Sequence, residues 1–152
     1  MRKGLQFIVS GPSGGGKTTL AKSMLDKLDN LRFSVSCTTR KPREDEVDGK
    51  DYTFVSQAEF EQMVNEEQFV EHALVHGNYY GTPVDEFENA SGVDLLLDID
   101  VQGASQIRKN YPYAVFCFVL PPSLKILKER LVERNSNGEI DIQRRLDRAK
   151  EE

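Results

Sequence analysis

Hydrophobic positions in this chain change period several times, and each change marks an element. Leu5 to Ser10 (Leu-Gln-Phe-Ile-Val-Ser) is a short apolar run that ends in glycines and predicts a strand. From Lys17 to Leu28 the apolar residues Leu20, Ala21, Met24, Leu25 and Leu28 fall at i, i+1, i+4, i+5 and i+8, one face of a helix. Phe33 to Cys37 predicts a second strand. Leu95 to Ile99 and Ala114 to Leu120 predict two more. Both are apolar without alternation, as expected of parallel strands covered on both faces. Helices are expected over Ala104 to Lys109, after Pro121-Pro122, and from about Asp141 to the end. The middle one has Ser123 as N-cap and Leu124, Leu127 and Leu131 on one face. Strand–helix alternation of this kind indicates an α/β domain with right-handed crossovers.

Residues 38–90 follow another pattern. They are more polar, with short strands at Tyr52 to Val55 and Phe69 to Val75 around a helix that opens with a capping box, Ser56-x-x-Glu59. His76-Gly77-Asn78 is a turn candidate. The stretch reads as a small lobe inserted into the sheet domain.

Composition narrows the function classes. A chain of 152 residues, 38% hydrophobic and 30% charged, is one globular domain with a sizeable core. A net charge of −5 disfavours a nucleic-acid partner, because a polyanion would be repelled over most of the surface. It leaves room for small phosphorylated ligands in a local basic pocket. The longest apolar run, Tyr113 to Leu120, is far too short to span a membrane. The start, Met1-Arg2-Lys3, leads into apolar residues broken by Gln6, which is not a signal peptide. Cys37 and Cys117 have no metal-ligand spacing and are expected as two small buried hydrophobes. Thiols without an export signal point to a reducing compartment, the cytoplasm.

The chemistry begins at Gly11-Pro12-Ser13-Gly14-Gly15-Gly16-Lys17-Thr18, which fits G-x-x-x-x-G-K-[ST] between a strand and an amphipathic helix. Glycines let backbone N–H groups converge on phosphate oxygens, and the helix N-terminus adds its positive dipole end. Lys17 can reach the β- and γ-phosphates, and the Thr18 hydroxyl can ligate Mg²⁺. Leu95-Leu96-Leu97-Asp98 is an apolar strand ending in a carboxylate, which can hold that metal through water. The segment Ser36 to Arg43 places Arg40, Lys41 and Arg43 near hydroxyls, where arginine forks suit phosphate oxygens. The acidic Glu44, Asp45 and Glu46 directly after it offer the alternative of a neutralised surface loop.

Six stretches of the chain resemble those of guanylate kinases. They are Ser10-Gly11-Pro12-Ser13-Gly14-x-Gly16-Lys17, Ser34-Val35-Ser36-x-Thr38-Thr39-Arg40-x-Pro42-Arg43 and Asp48-Gly49-Lys50-Asp51-Tyr52-x-Phe54-Val55. Gly77-Asn78-Tyr79-Tyr80-Gly81-Thr82, Leu97-Asp98-Ile99-Asp100-Val101-Gln102-Gly103 and Pro121-Pro122-Ser123 follow in family order. The resemblance implies a P-loop NTPase-type parallel sheet flanked by helices, residues 1–35 and 93–152. It also implies an inserted mixed α/β GMP-binding lobe at 36–92 and a short lid at about 134–145. It implies the reaction ATP + GMP to ADP + GDP, with Mg²⁺, in purine nucleotide metabolism. Residues 11–18 with Thr19 and Arg130 are then expected at ATP. Arg40, Arg43, Tyr52 and Tyr80 are expected at the GMP phosphate. Ser36, Glu71 and Thr82 are expected at guanine, with Asp100 nearby. Lys17, Arg40, Arg134 and Arg145 are expected to be catalytic, and Thr18 and Asp98 to hold the metal. His72 and His76 need no catalytic role.

A carboxylate such as Glu71 can accept both the N1–H and the 2-amino protons of guanine, and adenine has neither group. The partners implied are ATP and GMP, without nucleic acid or membrane, and the chain is expected as a monomer or weak homodimer. Two features depart from the family pattern. Arg134 is followed by Asn135-Ser136-Asn137-Gly138-Glu139, and the sequence reaches Glu152 inside a helix, as in a C-terminally incomplete member. Three other readings compete: a phospholigand-binding module that has lost catalysis, a P-loop kinase of a different acceptor, and a motor or signalling NTPase. The last requires a water-activating residue and switch loops, for which there is no candidate.

Overall fold

A computed structural model describes residues 4–88, 92–134 and 138–152. The chain opens with β1 (Gln6–Ser10), turns through the glycine loop into α1 (Lys17–Lys27) and returns as β2 (Leu31–Phe33). It then forms β3 (Cys37–Thr38), β4 (Thr53–Phe54), α2 (Gln57–Asn65), β5 (Phe69–Val75), β6 (Asn78–Pro83) and α3 (Val84–Glu88). The last part is β7 (Asp94–Asp98), α4 (Val101–Asn110), β8 (Val115–Phe118), α5 (Leu124–Arg134) and α6 (Gly138–Glu151).

The strands sort into two sheets. One is all parallel, in the order β2-β7-β1-β8, with Ile8 opposite Leu97 on one side and Phe116 on the other. Its central strands carry the core: Ile8, Val9, Leu95 and Leu96 are fully buried. The second is mixed, in the order β4-β3-β6-β5, with β3 and β4 parallel and β6 antiparallel to both its neighbours. The β5–β6 hairpin turns on His76 and Gly77, at φ 49° and 81°. Two successive left-handed residues make the tight turn whose twist matches that of the strands. The capping box at the start of α2 is formed in both directions between Ser56 and Glu59.

One hydrophobic cluster joins the sheets. Ile8, Leu95 and Leu97 of the parallel sheet and Ala104 and Ile107 of α4 pack with Val70 of β5 and Phe87 of α3. Gln106 of α4 reinforces this contact. It accepts from the His72 backbone N–H at 3.1 Å and donates to the His72 carbonyl at 2.7 Å.

Several expectations are corrected. The single strand over Phe33 to Cys37 is two short strands in different sheets. Ser34 N–H still bonds Leu96 O at 2.9 Å, whereas Ser36 O already accepts from Thr53 N–H at 2.9 Å. The chain changes sheets across these residues, and an apolar run does not reveal which neighbour each residue pairs with. The strand at Ala114 to Leu120 is not covered on both faces. Among the described residues β8 pairs with β1 alone, and Val115, Phe118 and Leu120 are exposed. Cys117, on that strand, is exposed rather than buried. Cys37 is buried as expected, and burial, with a smaller contribution from Glu86, pushes its thiol up to about 11. On α1 only Ala21 of the predicted stripe is buried, and Leu20 and Leu28 are exposed. On α5, Leu127 and Leu131 are buried and Leu124 is exposed. No helix among the described residues is long and apolar enough to cross a membrane.

Candidate active site

Parallel strands release their chain at the carboxyl edge, where loops and helix N-termini gather. Here β1 ends in the glycine loop and β7 ends at Asp98, one strand over. Two glycines of the loop are needed for its shape. Gly16 caps α1 at φ 106°, in the left-handed region, and provides no side-chain cap. At Gly11, φ 142°, a Cβ would collide with the backbone carbonyl of Val119. The Lys17 ammonium folds back along the loop and donates to Gly11 O at 2.8 Å and Pro12 O at 3.1 Å. The Thr18 hydroxyl donates to Asp98 Oδ2 at 2.9 Å. From α5, Arg130 Nη1 reaches Gly14 O at 3.4 Å and Gly15 O at 3.3 Å. From α6, Arg145 Nη1 donates to Ser13 Oγ at 3.2 Å while Asp141 holds its Nε at 2.9 Å.

The mixed sheet faces this loop with side chains. Arg40 leaves the end of β3 and is held on three sides. Glu46 takes both Nη atoms at 2.9 and 2.8 Å, and the Tyr80 hydroxyl accepts from Nε at 3.2 Å. The rings of Tyr52 and Phe54 lie 5.4 and 5.8 Å from the guanidinium carbon. Burial pulls the Arg40 pKa down, but the bonds to Glu46 and Tyr80 outweigh it and hold it above its ordinary value. Burial pushes Glu46 up, and the hydrogen bonds from Arg40 and the Arg43 backbone reverse this and hold it low. The Arg43 side chain is more exposed, 3.9 Å from Glu46. Burial, then the Asp98 charge, pushes the Tyr52 phenol up to about 12, so it stays a hydrogen-bond donor.

Deeper in, Glu71 on β5 is only 3% exposed. Its Oε1 accepts from the Thr82 hydroxyl of β6 at 2.6 Å, and Thr82 in turn lies 3.5 Å from Ser36 Oγ. Desolvation pushes the Glu71 carboxyl up to about 7, against the Thr82 hydrogen bond and with help from the Asp100 charge. Asp100 caps α4 by accepting from Gly103 N–H at 3.0 Å. Its other oxygen receives Arg148 of α6 at 3.1 Å. His76, at the hairpin tip, is half-buried, and burial, then Arg145 and Arg148, lower its pKa.

A cleft of about 540 Å³ separates the two sets of residues. From the side of the glycine loop Gly11, Ser13, Gly14, Gly16, Lys17, Thr18 and Asp98 line it. Ser36, Arg40, Arg43, Tyr52, Glu71 and Tyr80 face them, with Asp100 and Arg145 at the side. Thr82 is fully buried behind Glu71, Thr19 is exposed on α1 away from the cleft, and Arg130 packs under the loop carbonyls. The side chain of Arg134 and residues 135–137 lie outside the described residues. Among the side chains that sequence reasoning missed are Arg148, which lines the cleft, and Glu46, which binds the cleft residue Arg40. Glu46 passed as surface neutralisation, although it sits six residues beyond Arg40 in the same loop. Arg148 carried a usable signal, since it follows Arg145 by one helical turn and so shares its face.

Comparison with known proteins gives one family. A family model described as guanylate kinase matches residues 3–152. A guanylate kinase of Geobacter metallireducens is 50% identical over 150 residues, 97% of this chain and 74% of that protein. One from Rickettsia bellii is 49% identical over 152 residues, 99% of this chain and 80% of that protein. The crystal structure of guanylate kinase from Anaplasma phagocytophilum superposes with a TM-score of 0.75 at 31% identity, covering 98% of this chain and 86% of that one.

Proposed function

This chain belongs to the guanylate kinase family, and from that premise we propose how its cleft carries out the ATP-dependent phosphorylation of GMP to GDP. The observation that carries the reading is a buried carboxylate, Glu71, facing the same cleft as the Lys17 loop. One wall suits a triphosphate and the other a guanine nucleotide. Residues 11–18 wrap the phosphates of ATP with backbone N–H groups, and Lys17 turns from its loop carbonyls to the β- and γ-phosphates. Arg40, Arg43, Tyr52 and Tyr80 hold the GMP phosphate. Glu71, oriented by Thr82, accepts from the N1–H and 2-amino groups of guanine, beside Ser36 and Asp100.

A phosphate oxygen of GMP attacks the γ-phosphorus in line. That O–P bond forms as the bond to the β-phosphate oxygen breaks, and ADP departs with the electron pair. The attacking oxygen is already ionised, since a phosphomonoester has its second pKa at about 6, so no general base is required. Lys17, Arg40, Arg134 and Arg145 neutralise charge on the transferring group.

Thr18 Oγ1 and Asp98 Oδ2 are hard oxygen donors 2.9 Å apart at the foot of the loop. This donor set fits Mg²⁺, which keeps several waters and takes one or two protein oxygens together with phosphate oxygens. Thr18 would bind it directly and Asp98 through water, and the ion would add charge neutralisation between the phosphates.

Residues 36–92 form the GMP-binding lobe and about 134–145 the lid. Their closure on the phosphate loop excludes water and protects ATP from hydrolysis. The chain works in the cytoplasm, in purine nucleotide metabolism, as a monomer or weak homodimer. Release of ADP from Mg-ATP with GMP, AMP, CMP or UMP as acceptor tests the reading. Turnover with GMP alone is expected, and equal rates with AMP would reject the role of Glu71. The alternative of a binding module without catalysis is disfavoured by Lys17 and Thr18, which both line the cleft.

A further inference from the structure

We propose that Gly103 is a positioning residue for guanine selectivity: it leaves bare the space in which the Glu71 carboxylate stands. The inference rests on the base-reading role given to Glu71 above. Gly103 is the third residue of α4, and its N–H is bound by the Asp100 cap at 3.0 Å. A Cβ built on it would collide with Glu71 Oε2, and it would lie 2.8 Å from Glu71 Cδ and 3.4 Å from Ile99 Cδ1.

The backbone gives no other reason for glycine here. Gly103 is not among the residues with positive φ, and a glycine inside a helix destabilises it relative to alanine. Nor can Glu71 step aside freely. It is 3% exposed, and its other oxygen is fixed by Thr82, which is fully buried. The two backbones cannot drift apart without loss either. Gln106 on α4 bonds both the N–H and the carbonyl of His72, the residue after Glu71. Helix and strand are clamped beside the contact, so a methyl group at 103 moves the carboxylate.

Displacing the carboxylate misaligns two hydrogen bonds to guanine but only one to hypoxanthine, which lacks the 2-amino group. Selectivity for GMP over IMP should therefore narrow in Gly103→Ala. The test is steady-state kinetics with GMP and IMP, with thermal midpoints, for Gly103→Ala, Glu71→Asp, Glu71→Gln and Gly103→Ala with Glu71→Asp.

Gly103→Ala is expected to raise the GMP KM about tenfold or more, on the scale of a lost buried hydrogen bond, with the ATP KM unchanged. Aspartate is one methylene shorter and withdraws from the added methyl. The double variant should therefore match Glu71→Asp alone within about twofold, a non-additivity expected only of residues in contact. An unchanged GMP KM in Gly103→Ala, with Glu71→Gln impaired, would overturn the role of Gly103 and leave that of Glu71 standing. An unchanged GMP KM in Glu71→Gln would overturn the base reading itself. Effects that multiply in the double variant would also overturn the proposal. Should Gly103→Ala not fold, recovery of folding by Glu71→Asp supports the steric pairing, and no recovery overturns it.

Discussion

The two walls of the cleft are built on different principles. The wall proposed for the phosphates of ATP is, apart from Asp98, a run of consecutive residues, Gly11 to Thr18, whose working groups are mostly backbone. Its shape is set by glycines at Gly11 and Gly16 and by the ends of β1 and α1. The wall proposed for the acceptor is assembled from side chains that stand far apart in the chain, among them Arg40, Glu46, Tyr52, Glu71, Tyr80 and Thr82. A backbone site depends on where Cβ atoms are absent, and its charge is nearly independent of pH. A side-chain site depends on every partner being present, and its protonation can be shifted by burial. The same reaction therefore responds to pH mainly through the side-chain wall.

That contrast can be broken in four places. The largest effect is expected from Lys17→Ala, which should lower phosphoryl transfer on the order of 10³-fold. Calorimetry should find GMP binding within about twofold of wild type. Loss of GMP binding together with activity would mean that the walls are not separable. Arg40→Ala comes next. Removing a bidentate, charge-assisted contact should raise the GMP KM about 50-fold and leave the ATP KM alone. Equal increases in both would show that Arg40 acts on closure rather than on the acceptor phosphate.

The pH response should be intermediate. The Glu71 carboxyl, normally near 4.5, is raised to about 7, chiefly by burial. The folded protein then holds this proton more tightly than the unfolded chain. Its contribution to stability is complete below the unfolded value and is lost as pH rises through about 7. Denaturant titrations of wild type against Glu71→Gln should differ by on the order of 2 kcal/mol across that window. The ligand effect has the opposite sign, since guanine needs the ionised carboxylate. Wild-type kcat/KM for GMP should rise about tenfold from pH 6 to 8 beyond the ionisation of GMP itself, as Glu71→Gln would reveal. A parallel profile in Glu71→Gln would remove Glu71 as the titrating group.

The smallest effect should lie outside both walls. Ser56→Ala removes the N-cap of α2 and should lower stability by about 1 kcal/mol without altering kinetics. A changed GMP KM would mean that α2 transmits strain to the acceptor wall.

The same contrast explains what could be read in advance. The phosphate loop was legible because its signal is contiguous and has a physical cause at each position. The hairpin over residues 69–83 was partly legible for the same reason. His76-Gly77 reveals a tight turn, and β5 begins and ends as the pattern indicates. Of the facing wall only the cationic segment around Arg40 and Arg43 stood out by itself, with a neutralised surface loop as its alternative; the rest was named through family resemblance, because nothing in the local pattern ties Glu71 to Thr82 or Arg40 to Glu46. Gly103 closes the Leu97–Gly103 stretch with no role apparent from its neighbours in sequence, since the atom that needs its space comes from another element, β5. Among the described residues β8 pairs with β1 alone, and its own residues gave no sign of this. A run such as Val115 to Phe118 is equally apolar whether its second face is covered or, as here, exposed.

The mixed lobe is encoded as one uninterrupted insertion, yet it is not a cassette. Val70 and Phe87 share their neighbours with Ile8, Leu95 and Leu97 of the parallel sheet. Excising the insertion would bare apolar surface on both fragments, and grafting it elsewhere would require a matching half-core. Change of acceptor in such a scaffold must therefore come by substitution in place, residue by residue, rather than by exchange of the whole lobe.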